Sequence, residues 1–270
     1  VNKKGKIRYV VKHETVKMSS NNVIDNSNKL YLDLVLNGWK IKYEPGVFEI
    51  CETCNLKGIL EEDLNAIETK LPIIAYKKLQ NAVTLWLNDT IRYGPAPGIK
   101  GVGCVFHESA EWLKDNGLTT EKEGCIEMYS ALDYLKSRRR WGIGGLLLHE
   151  LCHAYHFHCI NDGFQNSLLQ KTYDTAMQAK LYDKVSFKIV PDQDTKELNS
   201  YYDHAVKKSE TNYRHYACTN VMEFFAELSC AFHCDNTEDY NSWFPYNRIQ
   251  LANHDPNSLQ VLQTFWDSSE

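Results

Sequence analysis

Trp141-Gly142-Ile143-Gly144-Gly145-Leu146-Leu147-Leu148-His149-Glu150-Leu151-Cys152-His153-Ala154-Tyr155 carries more structural information than any other segment of this 270-residue chain. Its polar residues, His149, Glu150 and His153, fall on a narrow stripe of an otherwise apolar run, the pattern of a buried helix rather than a solvated one. Imidazoles four positions apart stand on one helical face about one turn from each other, close enough to grip a single metal ion. Neutral imidazole suits Zn²⁺, and a catalytic zinc site takes three protein ligands and leaves a fourth position for water. Glu150 is then the candidate general base. With 10 His in the chain, composition yields HExxH by accident only about 0.03 times. Its apolar context strengthens the signal, because buried His and Glu side chains demand partners.

Composition bounds the function classes. A chain of 270 residues, 43% hydrophobic, buries a substantial core and fits one large domain or two lobes. A net charge of −5 argues against a nucleic-acid or membrane-surface partner, since phosphate binding needs clustered positive charge. Arg138-Arg139-Arg140 is the notable basic run, and it reads as a solvated turn or as partners for carboxylates. No stretch approaches the roughly 18 apolar residues of a membrane span, and Val1-Asn2-Lys3-Lys4 lacks the apolar core of a signal peptide, so a soluble protein is expected. Nine cysteines are many for a cytosolic enzyme, which leans toward an oxidising compartment and secretion. Cys51 and Cys54 form a single CxxC, read as structural, and Asn88-Asp89-Thr90 is a glycosylation sequon compatible with secretion.

Along the chain, residues 7–16, 31–43 around a turn at Asn37-Gly38, and 47–51 read as strands of a twisted sheet. Residues 59–88 read as helical, with Ile74, Leu79, Val83 and Leu87 at helical spacing between 71 and 87. A Gly/Pro loop at 93–98 precedes a short strand at 101–106, which is placed to hydrogen-bond an extended substrate through its backbone. Helices follow at 167–182, 220–233 and 258–266, with a polar insert at 192–210. The expected organisation is α+β: a sheet-plus-helix region over residues 1–95, and a region over 96–270 holding the HExxH helix and a mainly helical C-terminal lobe.

A third ligand must come from elsewhere in the chain. His156 stands about 10.5 Å along the helix from His149, so three imidazoles of one helix cannot share an ion, and His156 reads as a residue near the site or at the surface. The extended pattern HExxHxxGxxH is excluded, because His156 and Cys159 occupy its glycine and third histidine. Asn220-Val221-Met222-Glu223-Phe224-Phe225-Ala226-Glu227 is better placed, with two carboxylates one turn apart among apolar residues. A metal for one acid and a ligating His N–H for the other would satisfy both.

Two segments carry a family resemblance. Tyr216-Ala217-Cys218-Thr219-Asn220-Val221-Met222-Glu223-Phe224-Phe225-Ala226-Glu227 resembles the glutamate helix of the catalytic domain of anthrax lethal factor, and His149-Glu150-Leu151-Cys152-His153 is similar to its HExxH helix. That domain is a gluzincin-type zinc metallopeptidase of the zincin-like superfamily, and the likeness covers mainly residues 100–235. The resemblance implies Glu223 as third zinc ligand, Glu227 as a carboxylate behind the ligands, and Tyr216 as the hydroxyl that stabilises the oxyanion, ahead of Tyr213 and His215. It implies a zincin-like fold, Zn²⁺ as cofactor and a peptide or protein as substrate. A zinc endopeptidase is therefore expected. The competing expectations are a catalytically silent zinc-binding or peptide-binding module, and a thiol hydrolase using Cys152, which a buried helical position disfavours. Segments 243–248 and 254–256 are given structural roles.

Overall fold

In the computed structural model of the chain, residues 23–24, 30–49, 55–89, 103–189, 207–208, 213–235 and 241–267 are described. Strand β1 (Val23–Ile24) pairs antiparallel with β2 (Leu30–Leu36), which returns as β3 (Trp39–Tyr43) in a hairpin that closes with Leu36 opposite Trp39. Asn37 and Gly38 both take positive φ, 49° and 82°, the signature of the two-residue turn whose twist matches its strands. A Cβ on Gly38 would lie 2.7 Å from the Gln80 side chain, whose amide donates to the Asn37 carbonyl. The expected strands at 31–43 are therefore present. The one expected at 47–51 is instead a 3₁₀ turn over Val47–Glu49, which follows the positive φ of Gly46.

Helices α1 (Leu56–Glu68) and α2 (Ile73–Ala82) carry the chain across to β4 (Thr84–Leu87), parallel to β3. Here the single helix expected over 71–87 is corrected. Pro72 caps α2, the chain turns extended at Val83, and Leu85, Trp86 and Leu87 are all buried because β4 lies inside the sheet. An interior parallel strand is apolar on both faces, so its sequence mimics a buried helix. Ile74, one of the residues that suggested the longer helix, is exposed.

Strand β5 (Val105–Phe106) and, after helix α3 (Ala110–Asp115), strand β6 (Ile126–Met128) complete a mixed sheet of order β1-β2-β3-β4-β6-β5. β6 is parallel to β4, and β5 runs antiparallel to β6 at the sheet edge. Strands from both sides of residue 95 thus share one sheet. Helices α4 (Ala131–Trp141), α5 (Gly145–Cys159) and α6 (Ser167–Gln178) follow. After the small antiparallel pair β7 (Lys188–Ile189) and β8 (Lys207–Lys208) come α7 (Val221–Phe232), α8 (Arg248–His254) and α9 (Pro256–Trp266). The architecture is α+β. The expected strand at 7–16, Cys51 and Cys54, and the loop at 93–98 lie outside the described residues, as does the 192–210 insert apart from β8.

One apolar cluster runs from Ile41 and Leu85 of the sheet through Leu148 and Leu151 of α5 to Phe225 and Leu228 of α7. Trp266 of α9 closes it, stacking on Tyr155 at 3.9 Å and donating its Nε1–H to Ser229 Oγ at 3.0 Å. Truncating so large a buried ring to alanine costs about 3–5 kcal/mol. Segments 243–248 and 254–256 do structural work: Asn241 binds the carbonyls of Glu227 and Pro245, Arg248 lies over the Phe232 ring, and Asp255 caps α9. Among the described residues no helix is long and apolar enough to cross a membrane. Cys104, Cys125, Cys152, Cys159, Cys218 and Cys230 are free thiols, and Cys234 is buried. The sequon asparagine, Asn88, is buried and bonded to Tyr31, Glu127 and the Met128 carbonyl, so in this fold its amide is closed to glycosylation.

Candidate metal centre

The HExxH helix begins at a junction that its sequence could not avoid. α4 ends at Gly142 with φ 78°, and Gly144, at φ 76°, starts α5. A Cβ at Gly144 would sit 2.9 Å from the Asp63 carbonyl oxygen, so glycine is required by space as well as by conformation. The fully buried Asp63 carboxylate accepts from the Gly144 N–H and from Arg138 Nε, each at 2.7 Å, and from the Tyr134 hydroxyl. Arg138 also pairs with Glu62. Of the two readings of the arginine run, Arg138 thus takes carboxylate partners, on a helix rather than a turn.

The second arm is set by caps. His215 Nδ1 accepts from the Ala217 N–H at 2.9 Å and opens the 3₁₀ turn Tyr216–Cys218. Asn220 Oδ1 accepts from the Glu223 N–H at 2.8 Å and opens α7. Glu223 occupies the third position of the helix, from which a glutamate commonly reaches back to the cap. Here its carboxylate faces the histidines of α5 instead.

His149 Nε2 and His153 Nε2 are 3.1 Å apart, and Glu223 Oε2 stands 3.2 and 3.3 Å from them. Ligands at about 2.0–2.1 Å from a tetrahedral zinc are separated from each other by about 3.3 Å, so the three atoms match one face of such a site. Glu223 Oε2, His149 Nδ1 and both Glu227 oxygens are buried without a hydrogen-bond partner. Electron-pair donors converging this closely repel unless a cation lies among them. Among the described residues this is the group of three His, Cys, Asp or Glu side chains whose ligand atoms all lie within 4.8 Å of one another. By distance, by donor type and by its stranded atoms, the set fits a divalent metal ion.

The electrostatics agree. Burial opposes a charged His149, yet the carboxylates of Glu223, Glu227 and Glu150 outweigh it and raise its pKa to about 10. The cluster therefore demands positive charge. Burial raises the Glu227 carboxyl to about 7, against the pull of His149. Glu227 Oε1 is 3.6 Å from His149 Nδ1, close enough to orient the ring by charge but longer than a hydrogen bond. Burial also raises Glu150, against the pull of His149 and His153. Tyr216 donates its hydroxyl to Glu223 Oε1 at 3.1 Å and is half exposed. Burial and the Glu223 charge raise the phenol, which keeps it a donor at neutral pH.

These side chains share a cleft of about 370 Å³ between β5 and the start of α7. His149, His153, Glu150, Glu223 and Tyr216 line it together; Glu227 lies wholly buried behind His149. Tyr213 and His215, the alternatives to Tyr216, do not line it. Tyr213 packs on Phe187, and His215 is buried against Trp243, where burial lowers its pKa to about 3. Of the two readings of His156, the surface one is corrected: it is fully buried between Phe225 and Phe164, a residue of the cleft wall. Cys152 is equally buried, a core residue as expected. Sequence reading missed Trp141, whose ring lies 5.2 Å from that of His149, and Phe164, Met222 and Arg140 on the cleft walls. No spacing rule connects these to the HExxH helix, although Trp141 directly precedes its glycine turn. Comparison with protein-family models, with curated proteins and with solved structures returns no match.

Proposed function

We propose that the chain is a zinc-dependent endopeptidase of gluzincin type on a zincin-like fold, cleaving an extended peptide laid along β5. The observation that carries the proposal is the convergence of His149 Nε2, His153 Nε2 and Glu223 Oε2 on one point of a cleft also lined by Glu150 and Tyr216. In this reading His149, His153 and Glu223 hold Zn²⁺, and Glu227 fixes His149 from behind. When bound, the ion supplies Lewis acidity, which makes water easier to deprotonate and polarises a carbonyl oxygen.

The protein's own groups do the rest. Glu150, buried and raised in pKa, takes the proton of the attacking water and passes it to the departing amine nitrogen as the C–N bond breaks. Tyr216 turns its O–H from Glu223 to the carbonyl oxygen, where negative charge gathers. The outer edge of β5, which pairs with no other strand among the described residues, offers backbone groups to an extended peptide by β-augmentation. The partner is a peptide or protein; the net charge of −5 supports neither a nucleic acid nor a membrane surface. Secretion rests on the cysteine count alone, and no disulfide among the described cysteines adds to it.

The test is digestion of a mixed peptide pool by native protein and by Glu150→Gln, with zinc measured in both. The proposal expects equal zinc and a loss of cleavage of about 10³-fold or more in the variant. Equal cleavage by both proteins removes Glu150 as the base, and zinc bound by a native chain that cleaves nothing favours the silent binding module.

A further inference from the structure

A second group of buried charges lies at the foot of the edge strand. Glu127 of β6 receives His107 Nε2 at 2.6 Å on one oxygen, and on the other Asn88 Nδ2 at 2.6 Å together with the Lys122 ammonium. Lys122 also reaches the Tyr31 hydroxyl at 3.2 Å and lies over the Tyr31 and Trp86 rings. His107, Lys122 and Glu127 are 4%, 0% and 1% exposed. Burying three such groups is a poor route to stability, because apolar residues of like volume serve as well or better; it does hold its members in one arrangement.

What it holds is β5, which is two residues long and would fray unaided. His107 directly follows the strand. Its N–H donates to the Cys125 carbonyl at 3.0 Å and its carbonyl accepts from the Gly124 N–H at 2.7 Å, so the main chain of His107 faces β6. Backbone groups of successive strand residues point to opposite edges, which turns the Phe106 N–H outward, on the side of the cleft that Phe106 and Glu150 line together. The other end of the strand is pinned by space: a Cβ on Gly103 would lie 3.0 Å from Tyr134 Cα and 3.1 Å from Tyr134 N, so the chain there runs against the backbone of α4.

We infer that His107 and Glu127 at one end and Gly103 at the other clamp β5, and that the clamp aims the Phe106 N–H at Glu150, making these three positioning residues for the proposed base. The role of Glu150 rests on the peptidase proposal; the clamp itself does not. Three variants test it: His107→Ala, His107→Gln, whose amide still donates to Glu127, and Gly103→Ala, which removes no charge. Hydrogen exchange across residues 103–108 is measured by mass spectrometry, with zinc content and steady-state cleavage of one peptide chosen from the pooled digest. The clamp predicts that His107→Ala and Gly103→Ala each speed exchange there by about tenfold or more. It also predicts a kcat lower by about tenfold or more with zinc unchanged, and, because the peptide lies along the same strand, a KM that rises by less than kcat falls. His107→Gln restores most of both. Unaltered exchange in His107→Ala and Gly103→Ala overturns the clamp, and faster exchange with native kcat overturns its action on Glu150. If the native chain holds zinc but cleaves no peptide, the peptidase proposal fails and exchange alone decides the clamp, quickened exchange supporting it and unchanged exchange overturning it.

Discussion

Two clusters of buried charge flank the edge strand β5, and they are finished in opposite ways. Around Glu127, the carboxylate, the Lys122 ammonium, the Asn88 amide and the Tyr31 hydroxyl satisfy one another. Around Glu223, the carboxylate oxygen Oε2, His149 Nδ1 and both oxygens of Glu227 are stranded. A closed network specifies a structure and asks for nothing more. An open one, its donors set at 3.1–3.3 Å, has the form that a cation would complete.

The largest effect that separates the two is on stability. Glu127→Ala strands the Lys122 charge in the sheet and should cost about 3–5 kcal/mol in urea unfolding of metal-free protein, whereas Glu223→Ala in the same assay should cost less, because Glu223 is partly open to the cleft and its partner His149 can shed its proton when the carboxylate is gone. Comparable losses from both would erase the contrast. Next comes Tyr216→Phe, which leaves zinc in place and should lower kcat by about 10²–10³-fold through the lost donor; native kcat would assign the phenol a packing role. Smaller still, Glu227→Gln keeps the volume behind His149 but removes the charge, and should weaken zinc affinity by about 10–100-fold in a competition titration with a chelator. An unchanged affinity would detach Glu227 from the ligand it faces.

The smallest effect is on acid stability. Burial works against the Glu127 charge, but His107 and Lys122 overcome it and depress the carboxyl to about 2 from its ordinary 4.5. Because the unfolded chain takes up that proton first as pH falls, this stabilisation is complete above about 4.5 and is lost on descent toward about 2. Between pH 7 and pH 4 the loss from this group should be under about 1 kcal/mol, and it should be missing from the acid limb of Glu127→Gln. Equal acid limbs in the two proteins would contradict the pairing.

How much of this was legible beforehand depended on how local each feature is. His149, Glu150 and His153 stand within one helical turn, and Glu223 and Glu227 within another, so period and apolar background expose them together. Asn220 could be read as the start of the second helix for the same reason. The interior strand Thr84–Leu87 could not, because burial on both faces erases the alternation that marks a strand. Asn88 looked like a surface sequon, and only partners 39 and 57 positions away make it a core residue. Asp63 gave no signal at all: the groups it binds on α4 and at the entry to α5 lie 71, 75 and 81 residues further on. Sequence spacing thus revealed the chemistry within each helix, and the long-range contacts that aim the helices at one another became visible only in the fold.

Zinc stoichiometry of the purified native chain and of Glu223→Ala, after equilibration with one equivalent of zinc and removal of loosely held ion, tests the metal centre most directly. One tightly held ion per native chain and a small fraction of that in the variant is the expected result. A native chain that keeps no zinc, or a Glu223→Ala chain that keeps a full equivalent, would contradict it.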